Sequence, residues 1–176
     1  MNLPNKLTLI RVFLVPVFIV AFVFGSYWAA LVIFAAASIT DYFDGKIARS
    51  RGLVTNFGKI MDPLADKILV YSALCLFIEY NVIGAWTLII ILAREFVIAG
   101  MRTVAASEGK VLAAGMSGKI KTVLQMFAVI LFMIALACSD TAWIMKTAQI
   151  VFMLSLIMTV YSGAEYIIKN KEVFSM

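Results

Sequence analysis

The sequence contains no histidine, so Ser-His-Asp and Cys-His catalytic triads and zinc sites built on imidazole are excluded. Cysteine is almost as scarce: Cys75 and Cys138 lie far apart in apolar runs, and we expect both to pack in the core. Only 14% of the residues are charged, and the 10 Asp and Glu residues are outnumbered by 15 Lys and Arg. Any polar site must therefore be built from a few carboxylates and a larger set of cations.

The hydrophobic content of 64% is too high for a soluble domain of 176 residues. A membrane-spanning helix needs about 20 apolar residues, so the length allows about five or six helices joined by short loops. We therefore expect an all-α integral membrane protein that forms a single domain over residues 1–176.

Apolar runs separated by short polar breaks place six helices along the chain. The breaks contain turn-forming residues such as Gly25, Asn81 and Gly84. The predicted transmembrane helices cover residues 6–24, 27–49, 58–80, 84–106, 117–138 and 141–168.

The basic residues predict the orientation of these helices. With the N-terminus in the cytoplasm, every Lys and Arg except Lys146 falls in the cytoplasmic half of the protein. We therefore predict a multi-pass protein of the cell membrane with both termini cytoplasmic. The connection between the second and third helices then also faces the cytoplasm.

Four of the few acidic residues are concentrated between residues 41 and 66. Asp41 and Asp44 are spaced i, i+3, and Asp62 and Asp66 are spaced i, i+4. Each pair would therefore share one face of a helix. Two facing helices would bring the four carboxylates together, where they would repel one another unless cations separate them. Ligation by oxygen alone suits Mg²⁺ or Mn²⁺, and we predict a metal site here.

An alternative without metal is a set of buried salt bridges to the neighbouring cations Lys46, Arg49, Lys59 and Lys67. It explains neither the spacing of the aspartates nor the presence of Gly45 and Gly58. Glycine at these positions would let a ligand approach the backbone closely, and the Arg49 guanidinium is suited to bidentate binding of a phosphate. Each glycine alone is also compatible with a helix-packing contact.

Residues 41–66 form the pattern Asp-x2-Asp-Gly-x2-Ala-Arg-x8-Gly-x3-Asp-x3-Asp. This pattern resembles the signature of the CDP-alcohol phosphatidyltransferases, membrane enzymes that move a phosphatidyl group from CDP-diacylglycerol to an alcohol. The flanking segments from Asn2 to Arg11 and from Arg94 to Gln125 extend the resemblance, and they look like the branch that uses glycerol 3-phosphate. The resemblance implies transfer to sn-glycerol 3-phosphate, which gives phosphatidylglycerophosphate and CMP.

The resemblance also implies roles for particular residues. Two Mg²⁺ or Mn²⁺ ions would be held by Asp41, Asp44, Asp62 and Asp66. Asp66 would in addition be the general base for the acceptor hydroxyl. The CDP-diacylglycerol donor would be bound by Gly45, Ala48, Arg49 and Gly58. Asn5, Thr8 and Arg11 share a helical face near the start of the first helix. These three residues either line the nucleotide or phosphate pocket, with Asn5 and Thr8 assigned to donor binding, or they only cap and anchor the helix.

The phosphate of the acceptor needs cations of its own. Arg94 and Arg102 lie eight residues apart on the fourth helix, and Lys119 and Lys121 open the fifth. All four are predicted to face one cytoplasmic cavity and to bind this phosphate. For the two lysines the alternative is an anchor at the membrane surface, and for Arg94 it is a pair with Glu95.

Other functions remain open at this stage. Within the family, the acceptor is alternatively an inositol phosphate or phosphatidylglycerol. A cation-coupled membrane transporter would also carry intramembrane acids, although these acids all lie near one surface. A structural membrane subunit would need no metal. We expect membrane lipid as a partner, no nucleic acid and, by resemblance, a homodimer.

Overall fold

The computed structural model describes residues 3–50, 56–113, 115–138 and 142–174, and the side chains of residues 3–6, 41–50, 56, 57, 59, 60 and 174 lie outside this description. In these ranges the chain is all-helical, as predicted. A short 3-10 helix, Lys171–Phe174, follows six α-helices. These are α1 (Leu3–Val23), α2 (Tyr27–Ser50), α3 (Asn56–Glu79), α4 (Ala85–Ser107), α5 (Met116–Ala137) and α6 (Ala142–Lys169). The predicted helices are confirmed in number and order, with ends shifted by a few residues.

Three of the helices end at a residue in the left-handed conformation: Gly25 (φ 75°), Asn81 (φ 57°) and Gly109 (φ 74°). After α1, the amide of Ser26 donates to the carbonyl of Ala21 at 2.9 Å and the amide of Gly25 donates to Phe22 at 2.9 Å. This pair of bonds is a Schellman motif, and the same pair closes α3 and α4. Glycine and asparagine adopt this conformation at low cost, which explains why the sequence breaks coincide with the helix ends.

The six helices pack into one bundle. The contact between α5 and α6 is the most extensive, α1 packs on both α2 and α3, and α2 also contacts α5. Helix α4 packs mainly against α6 and has little contact with α3. An open space therefore lies beside α4, and the cavities described below occupy it.

Aromatic side chains fill the core of the bundle at one end. The rings of Phe22 and Phe77 lie 5.8 Å apart, those of Phe77 and Phe132 5.2 Å apart, and those of Phe132 and Phe152 5.8 Å apart. This row joins α1, α3, α5 and α6 at separations typical of favourable aromatic pairs. The buried polar side chains Thr8, Arg11, Lys121 and Gln125 lie nearer the start of α1 and α5, away from these rings.

Two helices of the described chain, α5 and α6, are long and apolar enough to cross a membrane. Shorter apolar stretches cover Leu7–Val23 in α1 and Tyr27–Thr40 in α2. Helix α4 carries Arg94, Glu95 and Arg102 within its length, which lowers its mean hydropathy.

The prediction that both cysteines pack in the core is wrong for Cys75, which is exposed. Cys75 shares an outer face of α3 with Ile68 and Ser72, and the three line a surface groove of about 320 Å³. Hydropathy alone does not separate this face from the buried one, because the outward side of α3 is also apolar. Cys138 is half-buried.

Candidate active site

Two of the four predicted metal ligands have described side chains, and both lie on α3. Asp62 and Asp66 are half-buried and one helical turn apart, so they share a face. Asp62 accepts a short hydrogen bond from the hydroxyl of Thr8 on α1. Thr8 and Arg11 are both fully buried.

The other predicted ligands, Asp41 and Asp44, lie on α2, and their side chains are outside the described part of the chain. The same holds for Gly45, Ala48 and Arg49, and for Asn5 on α1. Gly58 is described and is buried near the start of α3. Among the described side chains no three acidic or cysteine residues come together as a metal site, so the four-aspartate cluster stays a prediction.

Asp66 lines a small pocket of about 80 Å³ between α3, α4 and α5. The pocket wall also contains Lys67, Tyr71, Glu95 and Lys121. The aspartate that the resemblance assigns as general base therefore borders a space shared with cationic side chains.

Glu95 is the centre of the charged cluster beside this pocket. Its Oε1 accepts hydrogen bonds from Lys121 at 2.9 Å and from Arg94 at 3.0 Å, and its Oε2 pairs with Lys67 at 3.1 Å. The three cations come from α3, α4 and α5, so one carboxylate joins three helices. Lys121 is buried, with 5% of its side chain exposed, which rules out the surface-anchor interpretation for this residue.

Arg94 makes the pair with Glu95 that the sequence allowed, and it also lines a cavity. Its Nη2 donates to the hydroxyl of Ser162 on α6 at 3.0 Å. Its Nε is buried and makes no hydrogen bond among the described residues. The guanidinium is thus fixed at both terminal nitrogens by α4 and α6.

A larger cavity of about 420 Å³ opens between α4, α5 and α6. Three of the four predicted acceptor-binding residues line it, Arg94, Arg102 and Lys119, together with Glu95. Lys121 lines the smaller pocket instead, and Glu95 and Thr122 belong to both walls. The structure therefore brings all four predicted cations to one region but divides them between two adjoining spaces.

Arg102 is oriented by an aromatic side chain. Its Nε donates to the hydroxyl of Tyr166 at 3.1 Å, and its guanidinium carbon lies 5.5 Å from the centre of the same ring. Both contacts are favourable for a guanidinium, and they hold it against the wall formed by α6.

A third cavity, of about 210 Å³, lies on the other side of Arg94. At its wall Glu165 accepts hydrogen bonds from Ser117 at 2.5 Å and from Lys169 at 2.5 Å. This contact ties the start of α5 to the end of α6.

Sequence reasoning missed three features of this region. It did not identify Glu95 as a shared partner of cations on three helices, nor Ser162 and Tyr166 as the groups that orient the two arginines. One feature of the sequence could have indicated a buried role for Glu95: it is a lone acid inside an otherwise apolar run. Ser162 and Tyr166 gave none, because their partners lie 68 and 64 residues away along the chain.

Residues 1–161 match the CDP-alcohol phosphatidyltransferase family. The chain is 40% identical to the CDP-diacylglycerol–glycerol-3-phosphate 3-phosphatidyltransferase of Bacillus subtilis, over 97% of this chain and 96% of that protein. It is 35% identical to the protein of the same name from Rickettsia felis, over 98% and 97%. A probable phosphatidylglycerophosphate synthase of Mycobacterium tuberculosis is 38% identical over 94% of this chain and 80% of that protein. With a family match over most of its length and relatives that align from end to end, the chain belongs to the CDP-alcohol phosphatidyltransferase family.

Proposed function

We propose that this chain transfers the phosphatidyl group from CDP-diacylglycerol to sn-glycerol 3-phosphate, with phosphatidylglycerophosphate and CMP as products. The observation that carries the proposal is the adjacency of two spaces. The pocket of Asp66 and the cavity lined by Arg94, Arg102 and Lys119 share Glu95 and Thr122 in their walls. An acceptor whose phosphate lies in the cationic cavity would therefore have its hydroxyl close to a carboxylate. The names of the relatives supply the two substrates.

The acceptor phosphate fits the charge of this region. A phosphate monoester carries about −1.5 to −2 charges near neutral pH. Lys67, Arg94 and Lys121 share the single negative charge of Glu95, and Arg102 and Lys119 add further positive charge at the cavity wall. An alcohol without any anionic group would leave Glu95 as the single described carboxylate paired with these cations, and most of the positive charge would be uncompensated. The cavity therefore favours a phosphorylated acceptor.

The described aspartates fit a hard divalent cation. Asp62 and Asp66 offer carboxylate oxygens one turn apart on a half-buried helical face, which is the donor type that Mg²⁺ and Mn²⁺ prefer. We propose that they hold two such ions together with Asp41 and Asp44 of α2. Bound there, the ions would neutralise the pyrophosphate of the donor and the phosphate of the departing CMP.

The residues of the chain then perform the remaining tasks. Asp66 accepts the proton of the acceptor hydroxyl, and the oxygen forms a bond to the phosphorus that carries diacylglycerol. The bond from this phosphorus to the bridging oxygen breaks, and CMP leaves with the electron pair. Gly45, Ala48, Arg49, Gly58, Asn5 and Thr8 are proposed to bind the donor. Thr8 is supported by its hydrogen bond to Asp62, which places it beside the proposed metal ligands.

A membrane location is supported by the outer surface of the bundle. Large apolar side chains point outward on several helices, among them Phe13, Phe96 and Trp143 with 71%, 70% and 70% exposure. Such a surface is costly in water and suited to lipid. We propose that all six helices span the cell membrane as a single domain, that both termini and the site face the cytoplasm, and that the chain forms a homodimer.

The test is to incubate the purified protein in detergent micelles with CDP-diacylglycerol and one alcohol at a time, and to measure CMP release. We expect release with sn-glycerol 3-phosphate and little with glycerol, inositol phosphate or phosphatidylglycerol. Release that depends on another member of this panel would change the acceptor but keep the reaction class. No release with any acceptor, from protein that is folded, would contradict the proposal.

A further inference from the structure

Two glycines on different helices border the side chain of Arg94. A Cβ atom added to Gly163 on α6 would lie 3.0 Å from Cγ of Arg94, and one added to Gly118 on α5 would lie 3.1 Å from its Nη2. Both distances are shorter than an ordinary van der Waals contact between carbon atoms, which is about 3.5 to 4.0 Å. Any larger residue at either position would therefore press on Arg94.

Glycine in a pair of closely packed helices often serves to bring the two backbones together. The surroundings of these two glycines differ from that case. Apart from the neighbours and the backbone of each glycine's own helix, Arg94 supplies every described atom within 4 Å of the added Cβ atoms. The space left by the missing side chains is thus occupied by an arginine from a third helix.

We propose that Gly118 and Gly163 are positioning residues that hold Arg94 in place to bind the acceptor phosphate. The inference rests on the proposed function, because it takes the cavity of about 420 Å³ as the acceptor site. Both the stem and the far end of Arg94 are enclosed: Gly163 lies against the stem and Gly118 against the guanidinium. Glu95 and Ser162 bind the two terminal nitrogens at 3.0 Å each. These four contacts hold the guanidinium at the wall shared by the cavities of about 420 and 210 Å³.

The two glycines should respond differently to a methyl group. At residue 118 the methyl meets the far end of a flexible side chain, so the guanidinium moves and the fold is little affected. At residue 163 the methyl meets Cγ, close to the backbone of α4, where the side chain has less freedom to yield. Gly118→Ala therefore tests the position of the Arg94 guanidinium alone. Gly163→Ala tests that position together with the packing of α6 against α4.

Gly100 provides a matched control. It lies inside α4, is exposed, and has no described atom within 4 Å of an added Cβ. Gly100→Ala makes the same chemical change in the same bundle, and alanine favours a helix more than glycine does. We expect this variant to keep both Michaelis constants and to unfold at the same or a higher temperature.

The experiment measures kcat and the KM of each substrate for the three alanine variants. We expect Gly118→Ala to raise the KM for sn-glycerol 3-phosphate roughly tenfold and to leave the KM for CDP-diacylglycerol unchanged, since misplacement by about 1 Å can cost up to a hundredfold. Gly163→Ala should show the same selective effect with a lower unfolding temperature. Constants for Gly118→Ala equal to those of Gly100→Ala would overturn the inference.

A double-mutant cycle with Arg94→Lys separates this role from a general effect on the helices. Lysine keeps Cγ but has no Nη2, so Gly118→Ala should have no further effect on the acceptor KM in the Arg94→Lys background. Gly163→Ala should still have one. An undiminished effect of Gly118→Ala in that background would contradict the inference. Failure of the proposed function is a different result, because the unmodified protein would then release no CMP with sn-glycerol 3-phosphate.

Discussion

The ammonium group of Lys121 on α5 donates a hydrogen bond of 2.9 Å to Glu95 on α4, across 26 residues of sequence. The same carboxylate binds Lys67 of α3 and the neighbouring Arg94. Three cations that would repel one another are thereby held within reach of a single anion. Glu95 is therefore needed both for the contact of α4 with its neighbours and for the charge of the proposed acceptor site.

Glu95→Gln should destabilise the protein, because it removes the anion and leaves three cations close together. Loss of one partner of a buried charge pair costs about 3 to 5 kcal/mol. Lys67 is 45% exposed, so solvent weakens its ion pair with Glu95. We therefore expect the loss of stability to lie at or below the lower end of that range. The measurement is the thermal unfolding temperature in detergent.

The matched variant is Lys121→Gln, alone and combined with Glu95→Gln. Lys121 is the most buried of the three cations, so removing it together with the anion should cost less than the sum of the single changes. Strictly additive effects would show that this pair contributes no coupling to stability.

The cations of the larger cavity should govern the acceptor rather than the donor. We expect Arg102→Ala and Lys119→Ala each to raise the KM for sn-glycerol 3-phosphate while the KM for CDP-diacylglycerol stays nearly constant. Loss of a desolvated partner of a charge costs about 2 to 5 kcal/mol. Arg102 and Lys119 are both exposed, so solvent screening should keep the cost of each change below this range. Arg102→Ala should have the larger effect of the two, because Tyr166 holds the Arg102 guanidinium in place.

Lys146 is a suitable control for these variants, since it is an exposed lysine near the start of α6, whereas Tyr166 at the cavity wall lies near the end of that helix. Lys146→Ala should leave both constants unchanged. If the four cations Arg94, Arg102, Lys119 and Lys121 affected only the donor constant, or neither, the assignment of glycerol 3-phosphate would lose its physical support.

Much of the fold could be predicted from the sequence because it depends on local properties. Apolar runs gave the six helices, and Gly25, Asn81 and Gly109 end α1, α3 and α4 through their own backbone conformation. The outward position of Cys75 could not be predicted, because both faces of α3 are apolar and only the packing of the bundle distinguishes them.

The candidate site was predictable in its residue types and less so in its contacts. The resemblance implied a phosphorylated acceptor, and the charge of that phosphate then pointed to four cations: Arg94, Arg102, Lys119 and Lys121. The contacts of these two with Ser162 and Tyr166 depend on the packing of α4 against α6, which no pattern in the sequence specifies. The placement of Lys119 and Lys121 at two different cavities likewise depends on how α5 packs against the other helices, which the sequence pattern does not specify.

Activity should require a divalent cation. With a chelator such as EDTA we expect CMP release to stop, because a pyrophosphate cannot bind beside uncompensated carboxylates. Added Mg²⁺ or Mn²⁺ should restore it, whereas Ca²⁺ prefers longer bonds and higher coordination numbers and should restore less. Full activity in excess chelator would remove the proposed metal site.

Asp66→Asn is the sharpest test of the proposed base. Asparagine keeps one ligand oxygen and the shape of the side chain, but it cannot accept the proton of the acceptor hydroxyl. The change should therefore reduce kcat by at least about a hundredfold, the lower range of general-base contributions, while CDP-diacylglycerol binding stays measurable.

Asp62→Asn is the control, because Asp62 is a proposed ligand without the base role and is held by Thr8. It should weaken metal binding, and excess Mn²⁺ should partly rescue its activity. Excess Mn²⁺ should not rescue Asp66→Asn, since the missing group is a proton acceptor. Wild-type turnover by Asp66→Asn would remove the base role, whereas full rescue by metal would assign Asp66 to metal binding alone.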